Sequence, residues 1–375
     1  MLFCTQCNQT YPVNQPRWRC ECGSYLTLRT EGIFDPEELA NRPPTIWRYH
    51  EALCIEDQQN IVSLGEGFTP LLADTLFEQP VYLKMDQLCP TGSFKDRGSS
   101  VMVSKLKEWG IDRVVEDSSG NAGASVAAYT SRAGIRSSIY VPAYTSLGKT
   151  AQIGLYGASL VKVPGTREDT TKAVLQAAEE TFYASHNWSP YFVAGLKTLA
   201  YEICEQLGWQ APDWVVAPVG GGSLVLGIYQ GFSDLLQAGI IDKLPRLAAV
   251  QAENCAPVYQ AWKQQLDDVP AITKLETVAE GISISQPVKG RDILQAIYAS
   301  NGVAITVNDE EIWQAIEILA NRGIYVEPTS GAAPAAVKHL LKQGLISPGE
   351  RVVVELTGMG LKATDKIIAH FVGQE

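Results

Sequence analysis

From Leu64 onward, short apolar runs rich in β-branched residues alternate with longer stretches patterned for helix. Runs at 81–85, 112–116, 138–141, 159–163, 214–217, 247–250, 303–307, 324–326 and 352–356 read as strands. Segments at 99–109, 122–132, 149–156, 169–180, 194–206, 224–236, 310–320 and 332–341 read as helices, with Gly110, Gly134 and Gly157 as stops. Antiparallel strands can be joined by a tight turn, whereas parallel strands need a crossover, usually a helix. Strict alternation therefore predicts parallel sheets covered by helices. The expected fold class is α/β: two open twisted sheets flanked by helices, plus a small cysteine-bearing segment at the N-terminus. Residues 1–30 form that ribbon, 96–193 a smaller α/β domain, and 31–95 with 194–375 a larger one.

A chain of 375 residues can bury a sizeable core. Its formal net charge of −11 and the lack of any basic run argue against nucleic-acid partners, which need clustered Lys and Arg. No secretory signal follows Met1, and the apolar stretch at 215–228 is broken by Pro218 and three glycines, so no membrane partner is expected. Eight cysteines without a secretion signal point to a cytoplasmic protein rather than a disulfide framework.

Four of those cysteines crowd the first 22 residues. Cys4 and Cys7 form a Cys-x-x-Cys knuckle, and Cys20 and Cys22 a tighter Cys-x-Cys knuckle followed by Gly23. The spacing resembles a zinc ribbon, in which four thiolates staple a segment too short to own a core. Free thiols in a ribbon that has lost its metal are the alternative. Four thiolates leave no open position, so a zinc there is structural.

Chemistry-bearing residues cluster at turns between strands and helices. In Ser93-Phe94-Lys95-Asp96-Arg97-Gly98 a lysine stands at a helix start, where the helix dipole disfavours its ammonium and prepares the amine for covalent work. Alone, it would read as a surface lysine pairing with Asp96. Gly220-Gly221-Gly222-Ser223 joins a strand to a helix, so its N–H groups and the Ser223 hydroxyl can cradle an anion. A Walker lysine and Gly-x-Gly-x-x-Gly spacing are both missing, which weighs against a nucleotide. The loop Ser118-Ser119-Gly120-Asn121-Ala122-Gly123 has the same strand-to-helix setting and suits a carboxylate. Thr357 closes the last strand, on the edge where open α/β sheets bind ligands. His50, His186, His339 and His370 show no metal spacing, and His339 reads as a helix-surface residue.

Taken together, the Lys95 segment, Ser119-Gly120-Asn121, Gly220-Gly221-Gly222 and Thr357-Gly358 resemble the tryptophan synthase β class of pyridoxal phosphate enzymes, fold type II. Within that class the chain is most similar to threonine synthases. Further matches are Leu64-Gly65-Glu66-Gly67-Phe68-Thr69-Pro70-Leu71, Gly148-Lys149-Thr150-Ala151-Gln152, Gly195-Leu196-Lys197-Thr198, Glu327-Pro328-Thr329-Ser330 and the ending Gly358-Met359-Gly360-Leu361-Lys362.

The resemblance implies pyridoxal 5'-phosphate as cofactor and a small amino acid as substrate. It implies that Lys95 binds the cofactor covalently and then moves protons. Asn121 would face the phenolic oxygen, Gly220, Gly221, Gly222 and Ser223 the phosphate, and Thr357 the pyridine nitrogen. Ser118, Ser119, Gly120 and Ala122 would receive the substrate carboxylate. The implied reaction converts O-phosphohomoserine and water to threonine and phosphate, in a homodimer. Many threonine synthases carry Asn-Pro-x-Arg ahead of the Gly-x-Lys-Thr helix, its arginine gripping the substrate phosphate; here the place reads Ser189-Pro190-Tyr191-Phe192. Lys149, Arg167 and Lys197 are the candidate substitutes. The departure keeps a second reaction open: β-elimination or β-replacement on serine, threonine or O-phosphoserine, as in dehydratases or cysteate synthases. A third reading is a homologue that binds cofactor without turnover, or a ribbon-bearing interaction protein; the intact Lys95 argues against the first of these.

Overall fold

The computed structural model describes residues 1–30, 32–145 and 147–371. In chain order the main elements are β1 (Leu2–Phe3), β2 (Thr10–Tyr11), β3 (Thr27–Leu28), β4 (Leu71–Leu76), β5 (Gln79–Lys84), α1 (Lys95–Glu108), β6 (Arg113–Glu116), α2 (Asn121–Ala133), β7 (Arg136–Pro142), α3 (Leu147–Leu155), β8 (Ser159–Val163), α4 (Arg167–Ala177), β9 (Phe182–Tyr183) and α5 (Pro190–Gln206). They continue with β10 (Trp214–Pro218), α6 (Ser223–Gln237), β11 (Arg246–Ala252), α7 (Pro257–Lys263), α8 (Gly290–Ala299), β12 (Val303–Val307), α9 (Asp309–Ala320), α10 (Pro328–Lys342), β13 (Val352–Glu355) and α11 (Thr364–Phe371). The protein is mixed α/β, with helices flanking its sheets. No helix among the described residues is long and apolar enough to cross a membrane.

The chain divides into two compact units. One comprises Met1–Phe68 and Lys95–Thr198, the other Thr69–Phe94 and Leu199–Glu375.

The first unit holds a four-stranded sheet in the order β8-β7-β6-β9, parallel throughout. It also holds the antiparallel ribbon β2-β1-β3. The ribbon is too small for a core of its own, so it borrows one: Trp18 stands edge-on to Tyr183 at 5.2 Å and to Trp188 at 5.4 Å. Glu66 ties the remaining N-terminal segment to this unit. Its fully buried carboxylate accepts from Trp47 Nε1 (3.0 Å), Tyr129 OH (2.7 Å), Ser63 Oγ (3.1 Å) and the Leu64 N–H (2.8 Å). A buried carboxylate given four donors is fully compensated.

The second unit holds a six-stranded sheet in the order β12-β11-β10-β13-β5-β4. All neighbours are parallel except the edge hairpin β4–β5. Its central strands β10 and β13 are buried at every residue, which explains their unbroken Val and Ala runs. Helices α7, α8 and α11 were outside the sequence reading, and two strand assignments in this unit also differ from it. β4 was not foreseen, because the hairpin turns on Phe77 and Glu78, both at positive φ (51° and 68°), instead of the usual Asn-Gly or Asp-Gly. The run at 324–326 forms no strand; Val326 makes one antiparallel bridge to Met359.

Candidate active site

In the first unit, Lys95 is the opening residue of α1 and Asn121 the opening residue of α2. The two first turns are pinned together: Ser125 Oγ donates to Asp96 Oδ1 at 2.6 Å and lies 2.8 Å from Ser99 Oγ. Ser118, Ser119 and Gly120 form the loop between β6 and α2, and Ala122 is buried behind it. Gly123 is forced by packing, since a Cβ there would lie 1.9 Å from the Ser118 carbonyl oxygen.

Phe192 is fully buried, with its ring against Gly98, where an added Cβ would meet it at 2.6 Å. The Lys95 ammonium stands 5.9 Å from the same ring centroid. The position that resemblance reserves for an arginine is thus an aromatic wall near the lysine. Of the proposed substitutes, Lys197 is buried and donates to Thr30 Oγ1 at 3.1 Å, and Arg167 pairs with Asp117 at 2.7 Å. Lys149 lies outside the residues whose side chains are described.

Sequence reasoning missed the carboxyl pair at the end of β6. Glu116 is fully buried, and its Oε1 lies 2.5 Å from His186 Nδ1. The two meet because β6 and β9 are parallel neighbours and both residues come off the same sheet edge. Burial pushes the Glu116 carboxyl up to about 8, although Arg167 and Lys95 pull the other way. Asp117, buried beside it, accepts from Arg167 Nη2 at 2.7 Å and Tyr183 OH at 2.5 Å. Burial and the neighbouring Glu116 raise Asp117 as well. The signal available in sequence was an acidic pair ending an apolar strand.

In the second unit, Gly220, Gly221 and Gly222 link β10 to α6, and Ser223 opens that helix. Gly222 is left-handed (φ 88°), and a Cβ there would strike Ile293 Cδ1 at 2.1 Å. The unpaired N–H groups of a helix start make this a ready anion site. Thr357 follows β13, the strand next to β10, so the two loops share the C-terminal edge of the sheet. Its N–H donates to Ser330 Oγ at 2.8 Å, and its carbonyl accepts from the Phe94 N–H at 3.0 Å. Ser93 bridges Gly358 in antiparallel fashion.

A model for the family "pyridoxal-phosphate dependent enzyme" matches residues 62–358. The chain belongs to this family. It is 40% identical to a threonine synthase of Methanocaldococcus jannaschii, over 97% of this chain and 93% of that protein. It is 36% identical to a threonine synthase of Methanosarcina acetivorans, over 98% and 93% respectively. Within the family it is therefore a threonine synthase-like member, a lyase dependent on pyridoxal phosphate. The processed threonine deaminase isoform 2 of Solanum lycopersicum shares the fold, with a TM-score of 0.71 at 20% identity over 93% of this chain and 98% of that one.

The residues present fit that cofactor. Thr357 Oγ1 and Ser93 Oγ are buried hydroxyls with no hydrogen-bond partner among the described residues. Native structures rarely leave such atoms unpaired unless something else completes them. The left-handed Gly222 at the start of α6 suits a phosphate, and a lysine at a helix start suits a covalent amine.

Apart from this site, Cys4, Cys7, Cys20 and Cys22 place their sulfurs within 4.8 Å of one another. Cys4 and Cys22 are 3.6 Å apart, Cys7 and Cys20 3.5 Å. Tetrahedral zinc with bonds of about 2.3 Å would set sulfurs about 3.8 Å apart.

Proposed function

We infer that the chain converts O-phosphohomoserine and water to threonine and phosphate, on pyridoxal phosphate bound through Lys95. The reading is carried by the extent of the match: the threonine synthase of M. jannaschii aligns over 97% of this chain.

Pyridoxal phosphate, when bound, supplies the electron sink for this chemistry. The chain supplies position, charge and protons. Lys95 Nζ, at a helix start that disfavours its ammonium, would hold the cofactor and would move protons to and from substrate carbons. Asn121 would face the phenolic oxygen. Gly220, Gly221, Gly222 and Ser223 would hold the phosphate at the start of α6, and the Thr357 hydroxyl, which has no hydrogen-bond partner among the described residues, would face the pyridine nitrogen. A hydroxyl there would leave that nitrogen neutral, where a carboxylate would hold it protonated. Ser118, Ser119, Gly120 and Ala122 offer the opening of α2 to the substrate carboxylate.

Structural zinc on Cys4, Cys7, Cys20 and Cys22, a homodimer and a cytoplasmic location complete the proposal. β-Elimination or β-replacement on serine, threonine or O-phosphoserine is the second reading, favoured by one observation: Phe192 stands where an arginine would grip the substrate phosphate.

Purified enzyme fed O-phosphohomoserine is expected to release phosphate and threonine in equal amounts. A 2-oxo acid formed from serine or threonine, without phosphohomoserine turnover, decides for the second reading. Lys95→Ala is expected to abolish turnover, by at least about 10³-fold, and to remove the visible absorbance of lysine-linked cofactor. Retained turnover in that variant refutes the assignment.

A further inference from the structure

We propose that Glu116 is a positioning residue for proton transfer at Lys95: it shares one proton with His186 and so keeps the pair uncharged beside the lysine. The proposal rests on the reading of Lys95 given above.

Two buried glutamates of the same unit show why Glu116 is not ordinary packing. Glu66 receives four donors. Glu116 has His186 Nδ1 on Oε1, whereas its Oε2 is buried with no hydrogen-bond partner among the described residues. An ionised carboxylate in that state is costly to bury, and a carboxylic acid far less so. The geometry therefore favours a proton on the Oε1–Nδ1 line, which is 2.5 Å long. Whether the proton sits on oxygen or nitrogen, the pair sums to zero charge.

The groups facing Glu116 come from every element around it. Arg167 on α4, the backbone N–H groups of Asp117 and His186, and then Lys95 on α1 all favour its ionised form. Asp117 follows it in the chain, and Tyr183 on β9 feels its charge. Burial prevails, and the carboxyl holds its proton up to about pH 8. Loss of that proton to solvent leaves a net negative charge near Lys95. An anion there stabilises the lysine ammonium, so at a given pH less of the lysine is present as the free amine. The His186 ring also stands 6.0 Å from the Phe192 ring that Lys95 overlies, so the pair and the lysine flank one aromatic side chain.

The test uses the holoenzyme and two readouts. The imidazole nitrogen resonances of His186 are followed by NMR from pH 6 to 10, and phosphate release is measured over the same range. In wild type the resonances are expected to inflect near pH 8, and the rate to fall by up to about tenfold between pH 7 and 9 and then to level off. In Glu116→Gln, which keeps a hydrogen-bonding side chain but cannot ionise, the inflection is expected to vanish and the rate to change less than twofold between pH 7 and 9. The same inflection or the same alkaline fall in the variant overturns the proposal. So does a wild-type His186 that shows no inflection between pH 7 and 9, a result that needs no variant to fold. Failure of the Lys95 reading shows separately, as missing lysine-linked absorbance in wild type, and leaves the His186 titration readable.

Discussion

Glu116 also governs stability, and the sign can be worked out. Its carboxyl is raised in the folded protein, from an ordinary 4.5 to about 8. Its contribution is therefore fully present below pH 4.5, declines as pH rises, and is lost above about 8. The full loss is roughly 5 kcal/mol at most. Glutamine stays neutral at all these pH values. Glu116→Gln is thus expected to resist urea better than wild type, with an advantage that grows by up to about 3 kcal/mol between pH 6 and 8. Urea midpoints at the two pH values check this. An advantage that is the same at both would mean that the buried carboxyl does not titrate in this window. The pairing of Glu116 with His186 was not legible in sequence, because the residues lie 70 positions apart and meet only through the order of the strands.

At the scale of elements, the sequence was most legible where backbone chemistry leaves a mark. Lys95 does open a helix, the glycines at 110, 134 and 157 do stand left-handed beyond helix ends, and the Gly220–Gly222 loop does run from strand to helix. These features depend on near neighbours in the chain. The hairpin β4–β5 left no such mark, since its left-handed turn residues are Phe77 and Glu78. His339, read as a surface residue, pairs with Glu311 across α9 and α10 at 2.8 Å, another contact that spacing does not announce. On the zinc proposal, the stability of the ribbon depends on a ligand. Burial alone would raise the Cys20 thiol, yet the Tyr11 hydroxyl at 3.2 Å and neighbouring hydrogen bonds bring it down to about 6. With zinc bound, metal analysis is expected to return one ion per chain. Chelation under mild denaturant, or Cys20→Ser, is expected to lower the melting temperature by several degrees and to perturb tryptophan emission through Trp18. Full metal loss with unchanged emission and melting would rule out a structural role.

The whole molecule is acidic, and that bears on its assembly. Each chain carries a formal charge of −11, so two chains coming together repel. Apolar side chains on the second unit argue the other way: Leu361, Ile368, Phe371 and Tyr325 are 68%, 51%, 41% and 40% exposed. Apolar burial strengthens modestly with salt, while repulsion between exposed charges is screened within about 10 Å at 0.1 M. Both effects favour association as salt rises. Sedimentation equilibrium at 0.15 M salt is therefore expected to give twice the 40.8 kDa chain mass, and dilution at low ionic strength to shift the equilibrium toward the single chain. A dimer that dissociates as salt is added would have to be held by ion pairs between chains, which the shared negative charge makes hard to build. A mass of 40.8 kDa at every salt concentration would leave those apolar side chains facing water and the homodimer proposal without support.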